Sequence, residues 1–339
     1  MKLVSYQREG ADHIAMMVEG RLYNIEKLIQ GGPNTMQDLL NDWENCHPRL
    51  LQAEKRIVQE GRPLEDAQWN EVMVLSPVPH PPSVRDAYAF RKHVASARKS
   101  RGLPMIPVYD EYPVFYFANN RNVYGPGTVT VLPDHLKELD FELEVAVVIG
   151  KMGRNIIAEE ADQYIAGFTI LNDFTARQLQ REEMLLNLGP AKGNDFATSM
   201  GPHLVTVEEL APYKIRPKRG HTGSRYDLSM MAYLNGKVVS QGNMADMDWT
   251  FAELIERASY GVDLYPGDII GSGTVGTGCF YELNALARSM DPRSTDQWLK
   301  SGDLIELEIQ GIGRLCNTIQ LQKAPYSLLG KKKVSHGQY

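Results

Sequence analysis

Hydrophobic and polar positions alternate with a period of two over much of this chain, and that period marks strands. The segments LVSYQ, HIAMMVEG and RLYNI, within residues 1–28, are separated by turn-prone REGAD and EGR and predict a small antiparallel meander. From Thr35 to Glu60 the period changes. Leu39, Leu40, Trp43, Leu50, Leu51, Ile57 and Val58 recur at helical spacing, with a break expected near Pro48. VMVLSPVPHPPS then supplies a strand and a proline-rich linker, which sets a boundary near residues 70–83. Beyond it TVTVL, IAGFTILND, LSMMAYLNG–KVVSQG, DIIGSG, YELNAL and LIELEIQGIGRLCNTIQ read as strands, with a hairpin in GDLIELEIQGIG. Helices are expected at 173–186 and 247–259. The pattern predicts a mainly β (α+β) chain, divided into a small N-terminal β/helical domain (1–75), a large domain (76–330) and a tail (331–339).

One strand departs from the simple pattern. In LDFELEVAVVIG (139–150), Asp140, Glu142 and Glu144 alternate with Phe141, Leu143 and Val145 before the run turns wholly apolar. Glu142 and Glu144 therefore point to one side, about 7 Å apart along the strand. Two like charges on one face of a buried strand repel each other and lose hydration. A hard divalent cation bound by oxygens would resolve that conflict. An edge strand with a wet face fits the same letters.

Composition narrows the classes of function. At 339 residues, 43% hydrophobic and 23% charged, the chain can bury a sizeable core. A net charge of −6 offers no basic face for nucleic acid. The lone basic run, Lys331–Lys333, sits in the tail and reads as solvated. Cys46, Cys279 and Cys316 are far apart and odd in number, giving neither a disulfide framework nor a zinc spacing. With no apolar signal core at MKLVSYQREGADH and no segment of bilayer-spanning length, a cytoplasmic protein is expected.

Several other segments hold polar groups where chemistry could occur. Asp173 ends the apolar run IAGFTIL, with Arg177 one turn on; either a helix N-cap or a ligand suits it. In RDAYAFRKH, Asp86 and His93 would share a face if helical, as water activation beside a metal requires, though a lone His is often a satisfied core residue. PAKGNDFATSMGP sets Lys192 and Asp195 in a Gly-containing loop, where a cation could meet a substrate carboxylate or oxyanion. PGDIIGSGTVGTGCFYEL offers backbone N–H groups and the Thr274 hydroxyl to an anion, without the G-K-[ST] of a phosphate loop.

Taken together, and in this order along residues 80–320, these segments resemble the fumarylacetoacetate hydrolase (FAH) superfamily, with motifs like those of fumarylacetoacetate hydrolase proper. The E-x-E pair followed some thirty residues later by NDFTAR is the specific part. The resemblance implies a mixed β-roll/β-sandwich catalytic domain, a homodimer, and metal ligands Asp86, Glu142, Glu144 and Asp173. DAYAFRKH is similar to the family's D-x-Y-x-x-R-x-H stretch, which makes Tyr88 a substrate contact and His93 the catalytic histidine. AKGNDF gives Lys192 a catalytic role, and GSGTVGTGCFYEL makes Thr274 a substrate contact and Glu282 the partner of His93. PVFYFANN nominates Tyr116, while Arg177 and Gln180 fall at substrate-binding positions. Arg98 and Arg101 both stand near the family's substrate arginine. NDF in place of N-D-W, and the missing T-F pair after Asp195, are departures.

The implied cofactor is Mg2+ or Ca2+, with Mn2+ as a further candidate, and no organic group. The implied activity is metal-dependent hydrolysis of the C–C bond of a 1,3-diketo acid, fumarylacetoacetate- or acylpyruvate-like, in aromatic-compound catabolism. The same site suits decarboxylation, hydration or isomerisation of a 2-oxo acid. A metal-stabilised assembly protein without catalysis is the reading from another class. Partners are a small oxo-acid or diketo-acid substrate, with no nucleic acid and no membrane.

Overall fold

The computed structural model describes residues 1–59 and 67–331; most of the tail expected at 331–339, and Glu60, lie outside the described residues. Two sheets dominate. The larger has 12 strands and runs from the N-terminal meander through Lys2–Arg8, Thr198–Thr206, Ile165–Asp173, Leu143–Ile149, Ile269–Gly271 and Val84–Ala87 to Phe115–Ala118. The smaller has 5 strands, in the order Lys237–Asn243, Ser229–Leu234, Leu304–Ile309, Gly313–Leu321 and Gly127–Val131. The meander belongs to the large sheet, because Lys2 and Leu3 pair antiparallel with Val205 and Leu204.

Strand Leu143–Ile149 explains the layering. Its odd positions, Leu143, Val145, Val147 and Ile149, enter a core shared with Phe168, Ile170, Met230, Leu307 and Leu315, between the two sheets. Ala146 and Val148, on the other face, join Cys46, Leu50, Ala53 and Ile57 of helix Trp43–Gln59. Both faces are covered, so the strand reads as a continuous apolar run. Glu144 and Glu142 continue the Ala146/Val148 face toward the strand's start, where helix cover gives way to the site.

Four local expectations are corrected. YELNAL is helical: Phe280–Met290 is a helix whose first N–H groups, from Phe280 and Tyr281, donate to the buried Asp140 carboxylate. Asp173 is no N-cap. It is the last residue of strand Ile165–Asp173, opposite Thr198, and the helix runs Arg177–Met184 with Ala176 at its cap. Asp86 and His93 lie on different elements, strand Val84–Ala87 and helix Arg91–Lys99. Finally, the break in the N-terminal helical stretch falls at Asp42, which caps Met36–Asn41, while Pro48 lies inside Trp43–Gln59. Pro48 gives up one backbone bond and crowds the Glu44 carbonyl four residues back, but the helix continues through it. The hairpin of Leu304–Ile309 and Gly313–Leu321 forms as its turn sequence predicts. No helix among the described residues is long and apolar enough to cross a membrane.

Candidate active site

The site forms where three strands bring carboxylates together. Asp86 is in register with Gly271 on one side and Tyr116 on the other. Ile269–Gly271 pairs in turn with Leu143–Ile149, the strand of Glu144. A Cβ on Gly271 would stand 2.6 Å from Asp86 Oδ1 and 3.1 Å from Glu144 Oε2, so the missing side chain makes the room in which the carboxylates meet. Asp86, Glu142 and Glu144 are buried, with oxygens within 4.8 Å of one another. Gly273 donates its backbone N–H to both Asp86 and Glu144, at 3.1 Å each, and Thr274 Oγ1 donates to Glu144 at 3.3 Å. Asp173 lies outside that triplet of close oxygens. It accepts from the Tyr116 hydroxyl and from Asn194 Nδ2, while its buried Oδ1 has no partner.

Crowded, desolvated carboxylates hold protons. Burial pushes Asp86 up to about 6, and the charge of Glu142 adds to the shift. Burial and then the charge of Asp86 raise Glu144 and Asp173 well above the ordinary carboxylate range. A hard divalent cation fits this donor set, since it replaces shared protons with a charge that all-oxygen ligands favour. Asp86, Glu142 and Glu144 would hold it, with the orphaned Asp173 Oδ1 nearby.

Beside the carboxylates, His93 Nδ1 lies 2.8 Å from Glu282 Oε2, both buried. The same Glu282 oxygen accepts the backbone N–H of Thr277 at 3.0 Å. Thr277 takes φ 68°, a left-handed conformation rare for a β-branched residue. Burial works to lower the His93 pKa, but the hydrogen bond and charge of Glu282, with Glu142 beyond, outweigh it and hold the imidazole above its ordinary value.

Arg177 ties the two groups together. Its Nη2 donates to Glu142 Oε1 at 2.7 Å, and its Nε donates to Asp140 Oδ2 at 2.8 Å. Asp140, wholly buried, also caps the helix that carries Glu282. Sequence reasoning missed Asp140 as a site residue, although it stands in the same alternation as the two glutamates. Asn194 was also missed; it bonds Asp173, Thr175 and Gln180 from the GND loop.

A cavity of about 570 Å3 opens over these groups. Asp86, Tyr88, His93, Tyr116, Glu142, Arg177, Gln180 and Thr274 line it; Glu144, Asp173 and Glu282 stand behind the lining. Arg101 also lines it, whereas Arg98 lies with Arg101 in an adjoining apolar annex of about 200 Å3. Lys192 is not brought to the site. Its ammonium, about half exposed, binds Asp195 at 2.7 Å in its own loop and does not line the cavity.

Comparison with known proteins agrees with this architecture. Residues 83–320 match the fumarylacetoacetate (FAA) hydrolase C-terminal family, and the chain belongs to that family of enzymes. Human oxaloacetate tautomerase FAHD2A, mitochondrial, is 30% identical over 88% of this chain and 84% of its own. Oxaloacetate tautomerase YisK of Bacillus subtilis is 31% identical over 74% of each. Fumarylacetoacetate hydrolase from Exiguobacterium antarcticum shares the fold with a TM-score of 0.68 at 21% identity, covering 95% of this chain and 100% of that one. So does a maleylpyruvate hydrolase from Sphingobium sp. SYK-6, solved with manganese(II) and pyruvate, with a TM-score of 0.67 at 18% identity over 95% and 99%.

Proposed function

We propose that this enzyme hydrolyses the C–C bond of a 1,3-diketo acid of the acylpyruvate class, with a divalent cation at Asp86, Glu142 and Glu144. The observation that supports this best is the buried His93–Glu282 pair facing a cavity beside a carboxylate cluster. The cation would supply Lewis acidity toward the oxygens of the 2-oxo acid. Glu282 holds the Nδ1–H of His93, leaving Nε2 to take a proton from water. The resulting hydroxide adds to the distal carbonyl carbon. The C–C bond breaks with its electron pair going to the oxo-acid fragment, and His93 returns the proton to that carbon. Tyr116, Gln180 and Thr274 present polar groups to the substrate's oxygens. Arg177 holds Glu142 in place and offsets negative charge. Lys192 has no part in this reading. The cavity, together with its apolar annex, is larger than a four-carbon acid fills, which suits a longer acyl arm.

The relatives favour a second reading, keto–enol tautomerisation of an oxo dicarboxylate such as oxaloacetate, as both curated names state. There the same base would move a proton between carbon and oxygen without breaking the chain. One experiment separates them. Wild type and His93→Ala, loaded with Mg2+ or Mn2+, are assayed on acylpyruvates for acid release and on enol-oxaloacetate for loss of enol absorbance. Hydrolysis predicts acid release that falls about 100- to 10,000-fold in His93→Ala, with fold and metal content retained. Rapid enol loss without acid release from any acylpyruvate overturns hydrolysis in favour of tautomerisation. A homodimer packed through the large domain is part of the proposal; a monomer mass by light scattering at micromolar concentration refutes it.

A further inference from the structure

Behind the cavity lining lies a second cluster with different chemistry. His93, Cys279 and Glu282, all buried, each place one donor atom within 4.8 Å of the others. Cys279 Sγ lies 3.9 Å from Glu282 Oε2, the oxygen that also meets His93 Nδ1 at 2.8 Å. Cys279 is the N-cap of helix Phe280–Met290, so it and Glu282 sit one turn apart and both face the imidazole. A further observation is the spare acceptor capacity of this carboxylate. Glu282 Oε1 has no hydrogen-bond partner, although Glu282 is only 1% exposed.

The all-oxygen triplet suits a hard cation, whereas nitrogen, sulfur and oxygen together suit zinc. Tetrahedral zinc lies about 2.0–2.3 Å from such donors, which then stand roughly 3.3–3.8 Å apart. The sulfur–oxygen separation is already near that range, and the His93–Glu282 contact widens to it once an ion replaces the shared proton.

We propose that His93, Cys279 and Glu282 form an inhibitory site for zinc and similar borderline ions, separate from the hard-cation site. On binding, Cys279 releases its thiol proton to solvent. Coordination through Nδ1 shifts the imidazole proton to Nε2, the atom that would accept a proton from water, and the base is silenced. The inhibition rests on the proposed role of His93; the coordination does not.

Cobalt(II) reads the coordination without any substrate. Added to the full chain in excess Mg2+, it is expected to give a near-ultraviolet cobalt–thiolate band that Cys279→Ser and Cys279→Ala both lack. Two variants are used so that a misfolded one, identified by its melting curve, does not decide the result. Zinc is then titrated against turnover in excess Mg2+, each rate taken relative to the same protein without zinc. Half-inhibition of the variants is expected to need at least about tenfold more zinc than wild type. No thiolate band in wild type, or a band that persists in the folded variant, overturns the site. A band without zinc-sensitive turnover overturns its inhibitory role. Absence of hydrolysis would count against the proposed function alone, since the band is read in its absence.

Discussion

Glu282 does more than orient His93. Its charge and its 2.8 Å hydrogen bond hold the imidazole above its ordinary pKa against the opposing effect of burial. A base works only when neutral, so the rate should fall as pH drops through a value above about 6.5. Glu282→Gln keeps an acceptor for Nδ1–H but removes the charge. Its acid limb should therefore move to lower pH, with a smaller loss of rate than His93→Ala; an acid limb that stays put or moves up would show that Glu282 does not set the titration. Much of this site was legible in the letters. Glu142 and Glu144 announced themselves because a period of two put both on one face, and Asp173 because a strand ends there. The His93–Glu282 pair spans 189 positions and has no local sign, so only the family resemblance carried it. Lys192 stands in a matching motif, yet its ammonium pairs with Asp195 three residues on and is not among the groups that line the cavity.

At the level of elements, the short strand Ile269–Gly271 is the one on which the metal site turns. It is buried between Val84–Ala87 and Leu143–Ile149, paired on both sides, and cannot back away from an added side chain. Gly271→Ala would place its Cβ 2.6 Å from Asp86 Oδ1, so the carboxylates must rotate apart. Overpacking of this kind costs about 1–3 kcal/mol of stability. Metal affinity is expected to fall about 10- to 100-fold, as when the support of a ligand is disturbed. Calorimetric titration with Mn2+ checks this; unchanged affinity would mean that the cation sits elsewhere. Nothing in DIIGSG singled out that glycine, because its importance comes from two carboxylates more than a hundred residues away. Elements themselves were read best where patterning was long, as in Leu304–Ile309 with Gly313–Leu321. YELNAL misled because so short an alternating run is too little to outweigh a cap, and the cap, Asp140, is supplied from a distant segment.

Over the whole molecule, one sheet joins segments from both sides of the boundary drawn near residues 70–83, through Lys2–Arg8 beside Thr198–Thr206. Strand order of that kind is invisible to local pattern. The carboxylate cluster lies in the same sheet, so its protonation bears on the stability of the entire fold. Burial holds Asp86 at about 6 and keeps Glu144 and Asp173 well above the ordinary carboxylate range. A carboxyl whose folded pKa exceeds its unfolded value, about 4, favours folding while protonated. Its contribution is full below about pH 4 and is lost as pH rises through the folded value. The metal-free protein should therefore lose stability from these groups between about pH 4 and 6 and above. A bound cation reverses the sign, because it binds the ionised carboxylates of the folded state only. The gap in melting temperature between Mg2+- or Mn2+-loaded and chelator-treated protein should be small near pH 5 and widen by about pH 7.5. Activity should be lost and regained with the metal over the same series. A gap that stays constant or narrows as pH rises would mean that the buried carboxylates do not bind the ion.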